Sequence, residues 1–434
     1  MLDASIVSGP VRLLLALVGP LALAALLMSH RPGWWTRRVP LAAAVGAAAA
    51  GLLVLIVQVL WRPFPDPLPW PAVLFTGLTA AAAVLAVRRG GRRGSAALAT
   101  VAVALVAVTG AAQVNQQFQA YPTLRGVLGL PLPAHVAYRD LPAGPRRAFV
   151  TPAGQSLSAS WRAPAGQRAT GVVTTVAIPG ARSGFRARPA WVYLPPAYLS
   201  TPRPLLPVMV LIAGQPGGPR DWFDGGQLNV LLDRFAAAHD GLAPIVVVPD
   251  ALGSRLANPL CVDSGAGAAF TYLSVDVPGW IEANLQVDGN RQHWAVGGVS
   301  FGATCALQLA VAAPSTFPTV LVLSGQSEPT LGSRSQTLRE RFGGSEAAFQ
   351  AANPLDVLAR RGFPESAAVV AVGEQDPLYR PQADALATGM RAAGMAVRRA
   401  SAPGGHSWVV WRPVLSDELP WLGFRLSLTP PPPG

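Results

Sequence analysis

The chain has 434 residues, 51% of them hydrophobic, and two folding units are the simplest expectation at this length. It is basic, with 34 basic residues against 22 acidic ones and a net charge of +12, and every basic residue is Arg. No basic stripe interleaved with aromatics and no nucleic-acid-binding motif accompanies that charge, so no nucleic-acid partner is expected. Cys261 and Cys305 are too few for a disulfide-dense scaffold or a four-cysteine zinc site within one chain. Neither an H-E-x-x-H pattern nor a Walker-type phosphate loop occurs, and no metal or cofactor is expected.

Four apolar runs come first, at about Val11–Ser29, Val39–Trp61, Leu68–Val87 and Ser95–Val114. Each is close to the roughly 20 residues a helix needs to cross a bilayer. Charged residues are almost absent inside them, and Trp34, Trp35, Trp61 and Trp70 mark their ends. Residues 1–114 therefore read as an all-α transmembrane region of four helices. The first connecting loop holds Arg31, Arg37 and Arg38, and the third holds Arg88, Arg89, Arg92 and Arg93. The second holds only Arg62 and Asp66. Positive loops stay in the cytoplasm, which puts both termini outside. A cleaved signal peptide fits the first run less well, because Asp3 precedes Arg12 and no small-residue cleavage site ends it.

Residues 115–165 are polar and rich in Pro and Gly, and read as a linker. From 166 to 426 the pattern alternates between strand and helix. The expected strands are Gly171–Ile178, Ala190–Leu194, Leu206–Ala213, Pro244–Pro249, Trp294–Gly297, Thr319–Ser324, Ala367–Gly373 and Ala396–Ser401. Several are continuous apolar runs, as central strands covered on both faces require. The expected helices are Gln227–Ala238, Leu273–Leu285, Phe301–Ala312, Pro354–Arg361 and Pro381–Ala393. Such alternation predicts a mostly parallel sheet wrapped by helices, its first two strands forming an antiparallel edge hairpin. Residues 427–434 read as a loose tail.

The chemistry falls at strand ends. Gly298-Val299-Ser300-Phe301-Gly302 is a G-x-S-x-G turn between a strand and a helix. Such a corner exposes the serine hydroxyl and aims a helix N-terminus at the site of a developing oxyanion. Asp376 follows a later strand and His406 the last one. The order Ser, Asp, His is that of the α/β-hydrolase triad. Serine needs a base, and the base needs a carboxylate to hold its tautomer. His30, His135, His239 and His293 occupy a loop, the linker, a helix end and a strand start. For the acid, Asp376 comes first, then Glu328, then Glu374. Ser254 and Ser324 lack the elbow and read as turn residues. The oxyanion donors are expected to be the backbone N–H groups of Phe301 and, from the loop Gly214–Pro219, Gln215, because Pro216 has none. Asp221, Trp222 and Phe223 either line a pocket or pack the next helix, and Trp408 is a further pocket candidate. In an oxidising compartment Cys261 and Cys305 are expected to form a disulfide; the alternative is two buried thiols.

The stretches IPGARSGFRARPAWVYLPPAY, VLIAGQPGGPRDWF, NPLCVDS, TYLSVDVPGWI, WAVGGVSFGATCALQLA, GEQDP and GGHSW cover about residues 170–410. They resemble serine esterases of the esterase D and mycolyltransferase superfamily, especially actinobacterial membrane-anchored ones. The resemblance implies the α/β-hydrolase fold, with Ser300 as nucleophile, Asp376 as acid and His406 as base. Phe270 stands where that family often has an acidic residue. The expectation is a multi-pass plasma-membrane enzyme with an extracytoplasmic serine esterase domain acting on an envelope lipid or aminoacyl-phospholipid ester. Two alternatives are an acyltransferase that moves the acyl group to a sugar, and a non-catalytic membrane protein with a degenerate hydrolase domain.

Overall fold

A computed structural model describes residues 2–431 except 64–65, 90–92, 143, 145 and 153. The chain divides into two compact units, Met1–Leu130 and Pro131–Gly434.

The first unit is built from α1 (Gly9–Leu27), α2 (Val39–Val54), α3 (Trp70–Arg89) and α4 (Arg93–Phe118). Wider π turns, Trp34–Arg38 and Leu55–Trp61, extend α2 at both ends. All four helices are long and apolar enough to cross a membrane. They pack through small residues, which let helix backbones approach closely. A Cβ on Gly46 of α2 would stand 2.6 Å from the Gly77 carbonyl of α3, so only glycine permits that approach. On α1, the Thr109 hydroxyl of α4 accepts from the Gly19 N–H (3.0 Å) and donates to the Leu15 carbonyl (2.8 Å). The loops after α1 and α3 meet at one end, where Arg31 and Arg38 both donate to the Arg88 carbonyl. At another point Arg125 pairs with Asp3 at 2.6 Å, and the Ile6 N–H reaches the Pro122 carbonyl. The segment after α4 thus returns to the N-terminal residues.

The second unit holds an eight-stranded sheet: β1 (Val172–Val176), β2 (Ala190–Leu194), β3 (Val208–Ile212), β4 (Ile245–Val248), β5 (Trp294–Val299), β6 (Thr319–Leu323), β7 (Ala367–Gly373) and β8 (Ala396–Ala402). Their order across the sheet is β8-β7-β6-β5-β3-β4-β2-β1. From β4 to β8 all neighbours are parallel; β2 pairs antiparallel with both β1 and β4. Every residue of β3 to β7 is buried, which is why those strands read as unbroken apolar runs. The main helices are α5 (Asp221–Asp224), α6 (Leu228–Ala237), α7 (Val277–Asn284), α8 (Phe301–Ala312), α9 (Arg334–Arg341), α10 (Glu346–Ala352), α11 (Pro354–Leu358), α12 (Arg380–Ala392) and α13 (Trp408–Arg425).

The expected linker is shorter than the composition indicates. Residues 115–118 complete α4, and the chain from Pro131 belongs to the second unit. There the Val136 N–H donates to the Val173 carbonyl and the Val173 N–H to the Ala134 carbonyl, adding a bridge to the β1 edge. Trp161 is buried edge-on to Phe149, its indole N–H on the Asp240 carbonyl at 3.0 Å. The tail is also partly anchored: Leu428 and Thr429 are buried, and Leu157 and Ser158 donate backbone hydrogen bonds to Ser427 and Leu428. Residues 432–434 lie outside the described residues.

Candidate active site

β5 is the central strand on which the site is built. Ser300 follows it with φ 54° and ψ −123°, a left-handed backbone that a side chain disfavours. The surroundings hold it there. The Ser300 N–H donates to the Leu323 carbonyl at 2.9 Å, and the Ser300 carbonyl accepts from Ala303 as α8 begins. The two motif glycines are demanded by geometry. A Cβ on Gly298 would lie 2.2 Å from the Gly302 carbonyl, and one on Gly302 would lie 2.2 Å from the Ile212 carbonyl of β3. The strand, the elbow and the helix therefore pass at backbone contact. A Cβ on Gly214 would stand 3.5 Å from the Ser300 Cβ, so the loop after β3 borders the serine. Among the described residues, nothing accepts the Phe301 N–H at the start of α8.

Asp376 and His406 come from the neighbouring strand ends, after β7 and β8. Gly373 and the Gly404–Gly405 loop run so close that a Cβ on Gly373 would meet the Gly404 carbonyl at 2.3 Å. This brings Asp376 Oδ2 to 3.1 Å from His406 Nδ1, while Asp376 Oδ1 accepts the Tyr379 N–H at 3.2 Å. Asp376 is only 4% exposed. The rival acids lie elsewhere: Glu328 binds Arg334 at 2.6 Å, and Glu374 is exposed. The His406 ring is packed by Tyr379 at 4.0 Å and, edge-on, by Trp411 at 5.0 Å. Trp411 is fixed in turn by its indole N–H on Ser324 Oγ at 2.9 Å. The second ring nitrogen of His406, Nε2, is buried and has no hydrogen-bond partner among the described residues. The bond from Ser300 Oγ to Nε2 is thus not formed here; such bonds are often long before substrate arrives.

The remaining candidates sort by burial. Trp222 and Phe223 are buried, Trp222 edge-on to Trp408 at 5.2 Å and Phe223 against Trp191 at 5.4 Å. Gly225 lets the Trp408 ring lie flush on the chain, since a Cβ there would meet it at 2.4 Å. These aromatics pack α5 against the start of α13 on one side and against β2 on the other. The Gln215 side chain turns to the Leu256 carbonyl at 3.0 Å. Burial pushes the Asp221 carboxyl above its usual range, even though it accepts the Gly218 N–H at 2.9 Å. Asp276 goes the other way: burial would raise its carboxyl, but the Ser183 hydroxyl and the Arg182 and Ser183 N–H groups together hold it below the usual range. Ser254 lies in a turn, and Ser324 closes β6. Phe270 uses its carbonyl to accept the Ser274 hydroxyl at 2.7 Å. Cys261 and Cys305 form a disulfide, Cα atoms 5.3 Å apart, that joins the segment after β4 to α8. The aromatic packing around His406 was not visible in the sequence, because Tyr379 comes from a separate segment, after β7.

The family model Esterase, described as "Putative esterase", matches residues 185–422. The chain belongs to the esterase family. An uncharacterized protein of Corynebacterium glutamicum is 36% identical over 395 residues, covering 86% of each chain, so the likeness extends beyond the esterase domain into the N-terminal unit. Among solved structures, a ferulic acid esterase superposes with a TM-score of 0.51 at 20% identity, covering 59% of this chain and 98% of its own. An S-formylglutathione hydrolase from Agrobacterium tumefaciens gives 0.50 at 16% identity, covering 60% and 97%. The esterase domain thus has the α/β-hydrolase fold, and the chain is a carboxylic-ester hydrolase with an ester-containing substrate.

Proposed function

We propose that this esterase is a membrane-anchored, extracytoplasmic serine hydrolase that cleaves a carboxylic ester of an envelope lipid, of the aminoacyl-phospholipid kind. The observations that carry the chemistry are His406, held by Asp376 at Nδ1 with Nε2 buried and unpartnered, and a serine on a strained elbow at the end of β5. Ser300 Oγ attacks the ester carbonyl carbon while His406 Nε2 takes its proton. Asp376 keeps the Nδ1 proton in place and stabilises the imidazolium. The N–H groups of Phe301 and Gln215 receive the negative oxygen. The C–O bond then breaks, and His406 returns the proton to the leaving alcohol. Water, deprotonated by His406, attacks the acyl-enzyme, releases the acid and restores Ser300. A lipid-linked ester is favoured because four spans, not one, tether the domain.

The test compares envelope lipids from cells carrying the wild-type chain and the Ser300→Ala form. One ester-bearing lipid should accumulate with Ser300→Ala and fall when the wild type is restored. Loss of an acylated sugar instead would convert the reading to acyl transfer, and an unchanged lipid profile would remove the lipid substrate.

Sidedness has its own prediction. The Arg-bearing loops after α1 and α3 lie together, which supports one cytoplasmic face for both. A reporter fused to the C-terminus should be active in the extracytoplasmic space. A fusion active only in the cytoplasm would reverse the orientation.

A further inference from the structure

An ion pair on the other half of the sheet reaches into the loop that borders Ser300. Arg188 stands two residues before β2, and Asp250 two residues after β4. The Arg188 guanidinium grips both carboxylate oxygens, Nε on Oδ2 at 2.9 Å and Nη2 on Oδ1 at 2.6 Å, while its backbone N–H adds 2.7 Å to Oδ2. Asp250 is 1% exposed and also accepts the N–H groups of Leu252 and Gly253, both at 3.1 Å. Five donors on one buried carboxylate fix the guanidinium plane. The same Nη2 then donates to the Gly217 carbonyl at 2.9 Å. Nη1 lies over Gly218, where a Cβ would come within 2.9 Å of it.

We propose that Arg188 is a positioning residue for the oxyanion loop. This rests on the reading of Ser300 as nucleophile. The loop Gly214-Gln215-Pro216-Gly217-Gly218-Pro219 contains three glycines, which have little backbone preference of their own. An oxyanion donor helps only if it is already aimed when charge develops. The Gly217 N–H on the Arg255 carbonyl (3.0 Å) and the Gly218 N–H on Asp221 tie the loop to its own side. Arg188 ties it to the sheet through a charged, two-point anchor. Lysine cannot reproduce that anchor, because its single ammonium cannot hold the carboxylate at two points and the carbonyl at once.

The test uses the full chain in detergent, with p-nitrophenyl butyrate as substrate and an alkyl boronic acid as transition-state analogue. Arg188→Lys should lower kcat by about 10- to 100-fold, somewhat less than outright loss of an oxyanion donor. KM should stay within about twofold, and boronate affinity should fall by the same factor as kcat. Gly218→Ala, whose methyl displaces the guanidinium without removing its charge, should act in the same direction, and the double variant should be no worse than Arg188→Lys. If Arg188→Lys does not fold, Gly218→Ala carries the test. Wild-type kcat and boronate affinity in the folded variants, or a rise in KM alone, overturns the proposal. Ser300→Ala run alongside separates the two levels: if it keeps full turnover, the nucleophile assignment itself has failed, and the role of Arg188 with it.

Discussion

Ser300→Ala should lower kcat/KM for a short activated ester by roughly four to six orders of magnitude, as loss of a triad nucleophile does elsewhere. KM should change little, because the hydroxyl acts on the transition state rather than on ground-state binding. His406→Ala should be about as damaging, and the Ser300→Ala, His406→Ala double variant no worse than either alone, because the two work as one unit. Asp376→Asn tests the third member. It keeps the shape of the 3.1 Å contact but loses the charge that fixes the tautomer, so kcat should still fall by about 10⁴-fold with the fold intact. Stopped turnover must be accompanied by an unchanged thermal unfolding midpoint. Independent, additive losses at Ser300 and His406 would contradict a shared mechanism.

Breaking the Cys261–Cys305 disulfide should destabilise the esterase domain by about 4 kcal/mol, the chain-entropy figure for a closed loop of this 44-residue separation. The effect should reach activity as well. Cys305 lies on α8, just over one turn beyond Ser300, and Gln308 on the same helix donates to the Leu260 carbonyl at 3.2 Å. Leu260 and Cys261 both have positive φ, a backbone that their side chains disfavour and that needs outside restraint. With the bond gone, that segment relaxes and α8 loses a tether close to the elbow. Urea unfolding of the Cys261→Ala, Cys305→Ala variant, beside its kcat, checks both parts. An unchanged midpoint would mean that packing alone holds the segment.

The sheet was legible because its central strands are apolar on both faces and rich in Val and Ile; β7, for example, has the bounds expected from sequence. The sharp turn at Ser300 and the approach of Asp376 to His406 fall where the G-x-S-x-G spacing and the chain order pointed. The C-terminal helix α13 was not legible. Pro413 and Pro420 lie inside it and read as breakers, although Val410, Trp411, Val414, Leu415, Leu419 and Leu422 form its buried face. Helix α9 escaped because it is polar apart from Leu338, and its capping serine, Ser333, was its faint signal. Residues 131–165 read as linker because their attachment is made by backbone bonds and isolated aromatics, which leave no periodic trace. The Arg188–Asp250 anchor spans 62 residues of sequence, and nothing local in either segment announces the other.

The claim that Ser300 is the nucleophile is tested most directly by covalent labelling of the full chain with a fluorophosphonate, followed by peptide mass spectrometry. One adduct per chain is expected, on the peptide containing Ser300, and it should be lost in Ser300→Ala and sharply slowed in His406→Ala. An adduct on Ser254, Ser324 or any other serine, or none on folded and ester-cleaving protein, would contradict the account.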